Sequence, residues 1–198
     1  MKRFVPLAVA ALALSLSQAA LAEGSKFKVY GMGVYVAPLS STNQTIGGVT
    51  DAVKASKEFG LNFGLEVRPS SLIGIELDYL YAKHDLKHGS TTVLGETQFQ
   101  PISGTLNFHL PLAIVDLYGG PTAAYVNWGD IKVASGTNVK LDAEFGYGVS
   151  AGLDLNITPL VVATGGLRWL NVKAQETGGT QSVNVHPLFI RAGIAVKL

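Results

Sequence analysis

The feature that most constrains this chain is a one-by-one alternation of apolar with polar or glycine residues, sustained over long stretches that come in pairs joined by very short turns. The clearest stretch sets Phe145, Tyr147, Val149, Ala151, Leu153, Leu155 and Ile157 against Glu144, Gly146, Gly148, Ser150, Gly152, Asp154 and Asn156. Strand side chains point to opposite faces with period two, so this reads as a strand with one apolar side. Globular strands run to about five or six residues, whereas a strand crossing a bilayer at a tilt needs roughly 9 to 11. Strands of this length point to a membrane.

The N-terminus has the order of a secretory signal: Lys2 and Arg3, an apolar run from Val5 to Leu16, then Ala20-Leu21-Ala22 before Glu23. Cleavage is expected after Ala22, leaving residues 23–198 as one domain. The alternative, an anchor helix, needs about 20 apolar residues, and this run falls short. Without the signal, 13 basic residues face 14 acidic ones, a balance that gives no reason to expect a nucleic-acid partner. The chain has no cysteine, which removes disulfides, thiolate metal sites and thiol nucleophiles.

Eight strands are expected, over about 27–37, 58–68, 72–83, 97–110, 114–128, 145–157, 160–172 and 185–198. Their apolar rows are expected to face outward and their polar rows inward. In the first, Tyr30, Met32, Val34 and Val36 alternate with Gly31, Gly33 and Tyr35. Pro101 predicts a bulge or frayed start in the fourth strand, and Pro121 a local break in the fifth. Three connections are short, at 69–71, 111–113 and 158–159; the other four, 39–57, 84–96, 129–142 and 173–184, are long. That pattern is expected of an antiparallel up-and-down outer-membrane β-barrel, with periplasmic turns, extracellular loops and no open sheet edge in lipid.

A soluble, lipocalin-like barrel also alternates, with its apolar face inward. Two observations weigh against it. Charges of both signs stand at mid-strand on the polar rows, where exposed lysines are nearly absent. Aromatics on the apolar rows gather toward strand ends, at Phe59, Tyr79, Tyr81, Phe108, Tyr125, Phe145, Tyr147 and Trp169, as interfacial girdles would require.

Several runs carry a family likeness: Phe145-Gly146-Tyr147-Gly148-Val149-Ser150-Ala151-Gly152-Leu153-Asp154, Gly166-Leu167-Arg168-Trp169-Leu170-Asn171-Val172, and His186-Pro187-Leu188. Val36-Ala37-Pro38 and Leu117-Tyr118-Gly119-Gly120 fit the same pattern. The chain resembles the OmpW family of small outer-membrane proteins. The resemblance implies an eight-stranded barrel with a narrow lumen, located in the cell outer membrane and proposed to pass small hydrophobic molecules. It also implies that strand 185–198 is read by the outer-membrane assembly machinery. Here the chain departs from the family, ending in Leu198 rather than an aromatic residue and carrying His186 where an acidic residue usually precedes the proline.

Inside so narrow a barrel, charges must largely neutralise each other. Glu66, Arg68, Glu76, Asp78, Asp116, Asp154, Arg168 and Arg191 form the expected lumen ion network, read as a structural plug of the lower barrel or as a selectivity constriction. On the lipid face such a group costs up to roughly 2–4 kcal/mol near the midplane, which constrains their parity. His84 and His88 bracket Asp85 and are read as solvated strand end and loop rather than a metal site. His109 is read as a hydrogen-bonded interior residue. Ser90 with His88, and Ser182 with His186, lack the inward acidic orienter of a triad, so no enzyme activity is expected. No cofactor is expected, and loop 39–57 is expected to form a short helical turn over 50–55.

The expected function is passage or binding of small, apolar molecules, captured among the loops and upper barrel, with outer-membrane lipid as the surroundings and the charged lower lumen blocking ions. The alternative is a non-transporting barrel with a plugged lumen whose loops bind an external partner.

Overall fold

The structure, a computed structural model, describes residues 26–38, 42–46, 49–55, 58–88, 92–129, 131–133, 138–175, 177 and 182–198. The expected signal peptide, Ser90 and parts of the long loops lie outside these residues. Eight strands close the barrel: β1 (Phe27–Pro38), β2 (Glu58–Val67), β3 (Ile73–His88), β4 (Thr92–Leu112), β5 (Val115–Trp128), β6 (Glu144–Asn156), β7 (Val161–Gln175) and β8 (Pro187–Lys197). Each pairs antiparallel with its sequence neighbours, and β1 pairs with β8 from Lys28↔Lys197 to Pro38↔Pro187. Closure follows from the alternation, because an open sheet of such strands would leave backbone groups unpaired.

Seven of the eight strands turn their apolar row outward. Phe59, Leu61 and Phe63 on β2, Leu106, Phe108 and Leu110 on β4, and Phe145, Tyr147 and Val149 on β6 are all exposed. On the other parity Glu66, Glu76, Asp78, Asp116, Asp154, Arg168 and Arg191 are at most 4% exposed. This is the inverse of a soluble barrel and sets aside the lipocalin-like reading.

β1 corrects the expected parity. Tyr30, Met32, Val34 and Val36 are buried inside, and Val29, Gly31, Gly33, Tyr35 and Ala37 form the outward row. Both rows of β1 are apolar or small, so alternation alone cannot tell its faces apart. Registry with β2 and β8 decides: Gly31 pairs with Phe63, whose ring comes within 3.5 Å of where a Cβ on Gly31 would stand, and so covers the bare backbone on the outer face.

The prolines act less disruptively than expected at one site and as expected at the other. Around Pro101 the β3–β4 ladder skips from Tyr79↔Ile102 to Ala82↔Phe99, without a register change. Pro101 lacks an N–H, so rungs are lost but no residue is inserted. The bulge lies instead between Leu86 and Lys87. Around Pro121 the β4–β5 ladder skips from Thr105↔Thr122 to Phe108↔Gly119.

The long loops extend the sheet beyond the barrel. Thr42–Ile46 pairs with Val49–Ala55, which pairs with the outer end of β3; Ile131–Val133 pairs with the outer end of β4 and with Asn138–Val139. Residues 50–55 are therefore strand, not the helical turn expected: Val49, Thr50 and Val53 are β-branched, and pairing with β3 offers their backbone a ladder. Pro111 and Leu112 likewise pair with Asp116 and Val115, tightening the turn to Ala113 and Ile114. Ala113 has φ of 49°, a left-handed conformation that favours glycine. Ala113→Gly is expected to stabilise the barrel by about 0.5 kcal/mol, read as a higher urea midpoint, since the strain relieved slightly exceeds the added chain entropy.

Candidate functional site

The inward rows divide the lumen into layers. At the short-turn end, Glu66 from β2, Asp116 from β5 and Asp154 from β6 meet Lys28 from β1 and Arg68 just beyond β2. Lys28 Nζ lies 2.6 Å from Glu66 and 2.7 Å from Asp154, and Arg68 Nη1 lies 2.5 Å from Asp116. The Lys28 ammonium also sits 4.8 Å from the centre of the Tyr118 ring. His109 stands between two carboxylates, with Nε2 2.5 Å from Glu66 and Nδ1 3.2 Å from Asp116. Both ring nitrogens thus face a carboxylate oxygen.

A second charged layer lies higher. Arg168 from β7 holds Asp78 through both terminal nitrogens, at 2.9 Å and 2.7 Å, and reaches Glu76 at 2.8 Å. Arg191 from β8 approaches Glu76 at 3.2 Å. Tyr30 OH and Asn107 Nδ2 donate to Glu76 at 2.8 and 3.0 Å, and Asn62 Nδ2 donates to Asp78 at 2.8 Å. Two guanidinium groups thus pair with two carboxylates, and neutral donors add a hydrogen bond or two to each.

Above this layer the lumen is apolar. Val34 and Val36 from β1, Leu80 and Ala82 from β3, Phe99 from β4, Ala124 and Val126 from β5, Leu170 and Val172 from β7 and Phe189 from β8 pack together, with Trp128 and Val185 against them. Phe99 stacks on Phe189 with ring centres 5.8 Å apart and meets Trp128 edge-on at 4.9 Å. Inward glycines on β6 make room for these side chains: a Cβ on Gly146 would stand 3.0 Å from Val172 Cβ, and one on Gly148 2.8 Å from Leu170 Cδ2.

The structure thus places all eight residues of the expected ion network inside, but in two sets rather than one. Arg168 and Arg191 take Glu76 and Asp78, while Asp116 and Asp154 go to Arg68 and Lys28. Sequence reasoning missed Lys28, which shares the inward row of β1 with apolar residues; correct parity for that strand is the signal that finds it. His109 lies inside and hydrogen-bonded, as read from the sequence, between Glu66 and Asp116.

The expected aromatics all lie on outward rows. Phe59, Tyr125, Phe145 and Tyr147 are exposed, Tyr79, Tyr81 and Trp169 half-buried, and Phe108 is exposed at the opposite, short-turn end. Tyr125 meets Phe145 at 5.0 Å, Asn171 Nδ2 donates to Tyr147 OH at 2.8 Å, and Trp169 stacks on His186 at 6.0 Å. The backbones of His84 and His88 fall within β3 rather than in a loop; their side chains, with that of Ser182, lie outside the described residues.

Comparison with known proteins agrees with this architecture. The family described as "Outer membrane protein beta-barrel domain" matches residues 8–186. Among solved structures, the outer membrane protein OprG from Pseudomonas aeruginosa is 18% identical, with 89% of this chain and 97% of that chain covered at a TM-score of 0.69. Neisserial surface protein A is 18% identical, with 89% and 100% covered at 0.66. The Escherichia coli outer membrane protein W is 16% identical, with 89% and 100% covered at 0.55. At these identities the likeness is one of fold. No curated protein sequence matches the chain significantly.

Proposed function

The chain belongs to the outer membrane protein β-barrel domain family, and from that premise we propose that it takes small apolar molecules from outside the cell into the upper lumen. The observation that carries this reading is the division of the lumen: an apolar cluster at the loop end stands over two layers in which carboxylates pair with cations. An apolar solute entering among Val34, Val126, Leu170 and Phe189 gains about 25 cal/mol per Å² of its apolar surface removed from water, whereas the carboxylates below are already engaged by Lys28, Arg68, Arg168 and Arg191. The layers that exclude ions also close the axial route for the solute. Exit is therefore sideways into the bilayer. Support for a lateral route comes from β3 and β4, where no rungs join Leu80 and Tyr81 to Pro101 and Gln100 beside the apolar cluster.

Cells carrying the protein are expected to take up octane several-fold faster than cells lacking it, measured by consumption of labelled alkane. Equal rates would overturn the proposal. A second reading, a filled barrel whose loops bind an external partner, draws on the sheet extension: among the described residues, Thr42–Ile46 pairs along one edge, leaving the other open to an incoming strand. On that reading octane uptake is unchanged by the protein. Neither reading requires a catalysed reaction.

A further inference from the structure

Near the loop end, polar side chains gather on the outward face of β6, β7 and the segment leading into β8, inside the aromatic belt rather than above it. Asn171 pairs with Tyr147 across β6 and β7, and its Nδ2 donates to Tyr147 OH at 2.8 Å. The register that joins Trp169 to Leu188 and Val172 to Val185 sets His186 opposite Asn171 on the other side. The next pair up on the same face is Lys173 with Asn184. The His186 ring lies parallel to that of Trp169, with centres 6.0 Å apart. Neighbouring strands stand about 4.8 Å apart and successive residues of one face about 7 Å, so Asn171, Lys173, Asn184 and His186 spring from one small patch of backbone.

Height and charge say what meets this patch. Below it the same outward rows are apolar, with Val149 and Ala151 on β6, Leu167 on β7 and Ile190 on β8 all exposed. Beside it Phe145, 79% exposed, stands opposite Lys173 in the β6–β7 register. A ring so placed belongs at the membrane interface, so lipid headgroups reach the height of that lysine. The outward rows of β5 to β8 hold no Asp or Glu, and Lys173 presents its charge with no carboxylate on its own face.

We propose that the patch binds the phosphorylated sugar headgroup of an outer-leaflet lipid, with Lys173 at the phosphate and Asn171, Asn184 and His186 at the sugar hydroxyls. An ammonium is a point charge that suits one phosphate. Amides both donate and accept, as hydroxyls do; the bond to Tyr147 uses one N–H of Asn171 and leaves its carbonyl oxygen and second N–H for a ligand. The acyl chains of such a lipid run down over Val149, Leu167 and Ile190, a contact that no soluble sugar gains. The site lies outside the barrel and is independent of uptake through the lumen.

Trp169 borders the patch and Trp128 packs inside the barrel, so a Trp128→Phe background leaves one reporter. Its emission is followed in phosphatidylcholine nanodiscs carrying rising mole fractions of diphosphoryl lipid A, with phosphatidylglycerol as an anionic lipid without sugar. A saturable change is expected, with half-saturation about tenfold lower for lipid A. The protein with both tryptophans is expected to retain lipid A in preference to phosphatidylglycerol in native mass spectrometry. Lys173→Gln is expected to raise half-saturation by lipid A about tenfold, the worth of a charge-assisted hydrogen bond. Lys83→Gln is expected to leave it unchanged, although Lys83 is also exposed and outward, beyond Tyr81 on β3. Equal losses from the two lysine substitutions would reduce the effect to surface charge, and equal half-saturation by phosphatidylglycerol would remove the sugar. A change that never saturates would be ordinary bilayer contact. Saturation by free glucosamine 1-phosphate as readily as by lipid A would put a soluble ligand in the lipid's place. Each of these four results would overturn the proposal and leave apolar uptake untouched.

Discussion

Replacing Arg168 with alanine is expected to cost the barrel about 3–5 kcal/mol, because it strands Glu76 and Asp78 in the lumen with Arg191 as their remaining cation. Arg168 and both its carboxylate partners are at most 2% exposed, so solvent does little to screen the loss. The barrel is expected to unfold at lower urea and to lose its resistance to denaturation in gels run without boiling. Arg168→Met combined with Asp78→Asn separates the unpaired charge from lost packing. Removing opposite charges together is expected to restore a large part of the stability. A single Arg168→Ala variant as resistant as the parent would show that the charged layer is not a structural plug.

The second large effect concerns β6. Gly148→Val is expected to destabilise the barrel by about 2–3 kcal/mol, since an added side chain there meets the Trp169 carbonyl and Leu170 across the ladder. Serine at the same inward position would suit the polar parity but meet the same obstruction at its Cβ, so Gly148→Ser is expected to destabilise nearly as much. The glycines of this row are required by volume, not by polarity. If both substitutions were neutral in urea unfolding, the close packing of Leu170 and Val172 in the upper lumen would be wrong.

That point shows how much was legible in the sequence. Alternation placed Phe145, Val149 and Leu153 on one face of β6, and the charges on neighbouring strands assigned that face to the outside. The three short turns followed from the same pattern, although pairing tightened the turn at Ala113. On β1 alternation does not distinguish the faces, because Tyr30, Met32, Val34 and Val36 alternate with residues that are also apolar or small. The misread parity hid Lys28 from the charged set and the upper lumen from view. The apolar cluster of the upper lumen was illegible for a related reason: Leu80, Ala82, Val126 and Leu170 occupy the inward parity beyond the last charge on their strands, so each looks like a continuation of the polar row. Strand ends were misjudged where loops supply ladder partners, as at Val49–Ala55, whose hydrogen bonds depend on β3 and not on local sequence.

The central claim, that apolar solute enters among the apolar side chains inside the loop end of the barrel, is tested most directly by nuclear Overhauser contacts between octane and methyl groups of the protein in lipid nanodiscs. The outward methyls of Leu153, Leu167 and Ile190 meet bilayer alkane in any case and serve as the reference. Cross-peaks from octane to Val34, Val126 and Leu170 are predicted in addition, and they should saturate as octane is added. Contacts confined to the outward methyls, growing in proportion to octane without saturation, would contradict the account.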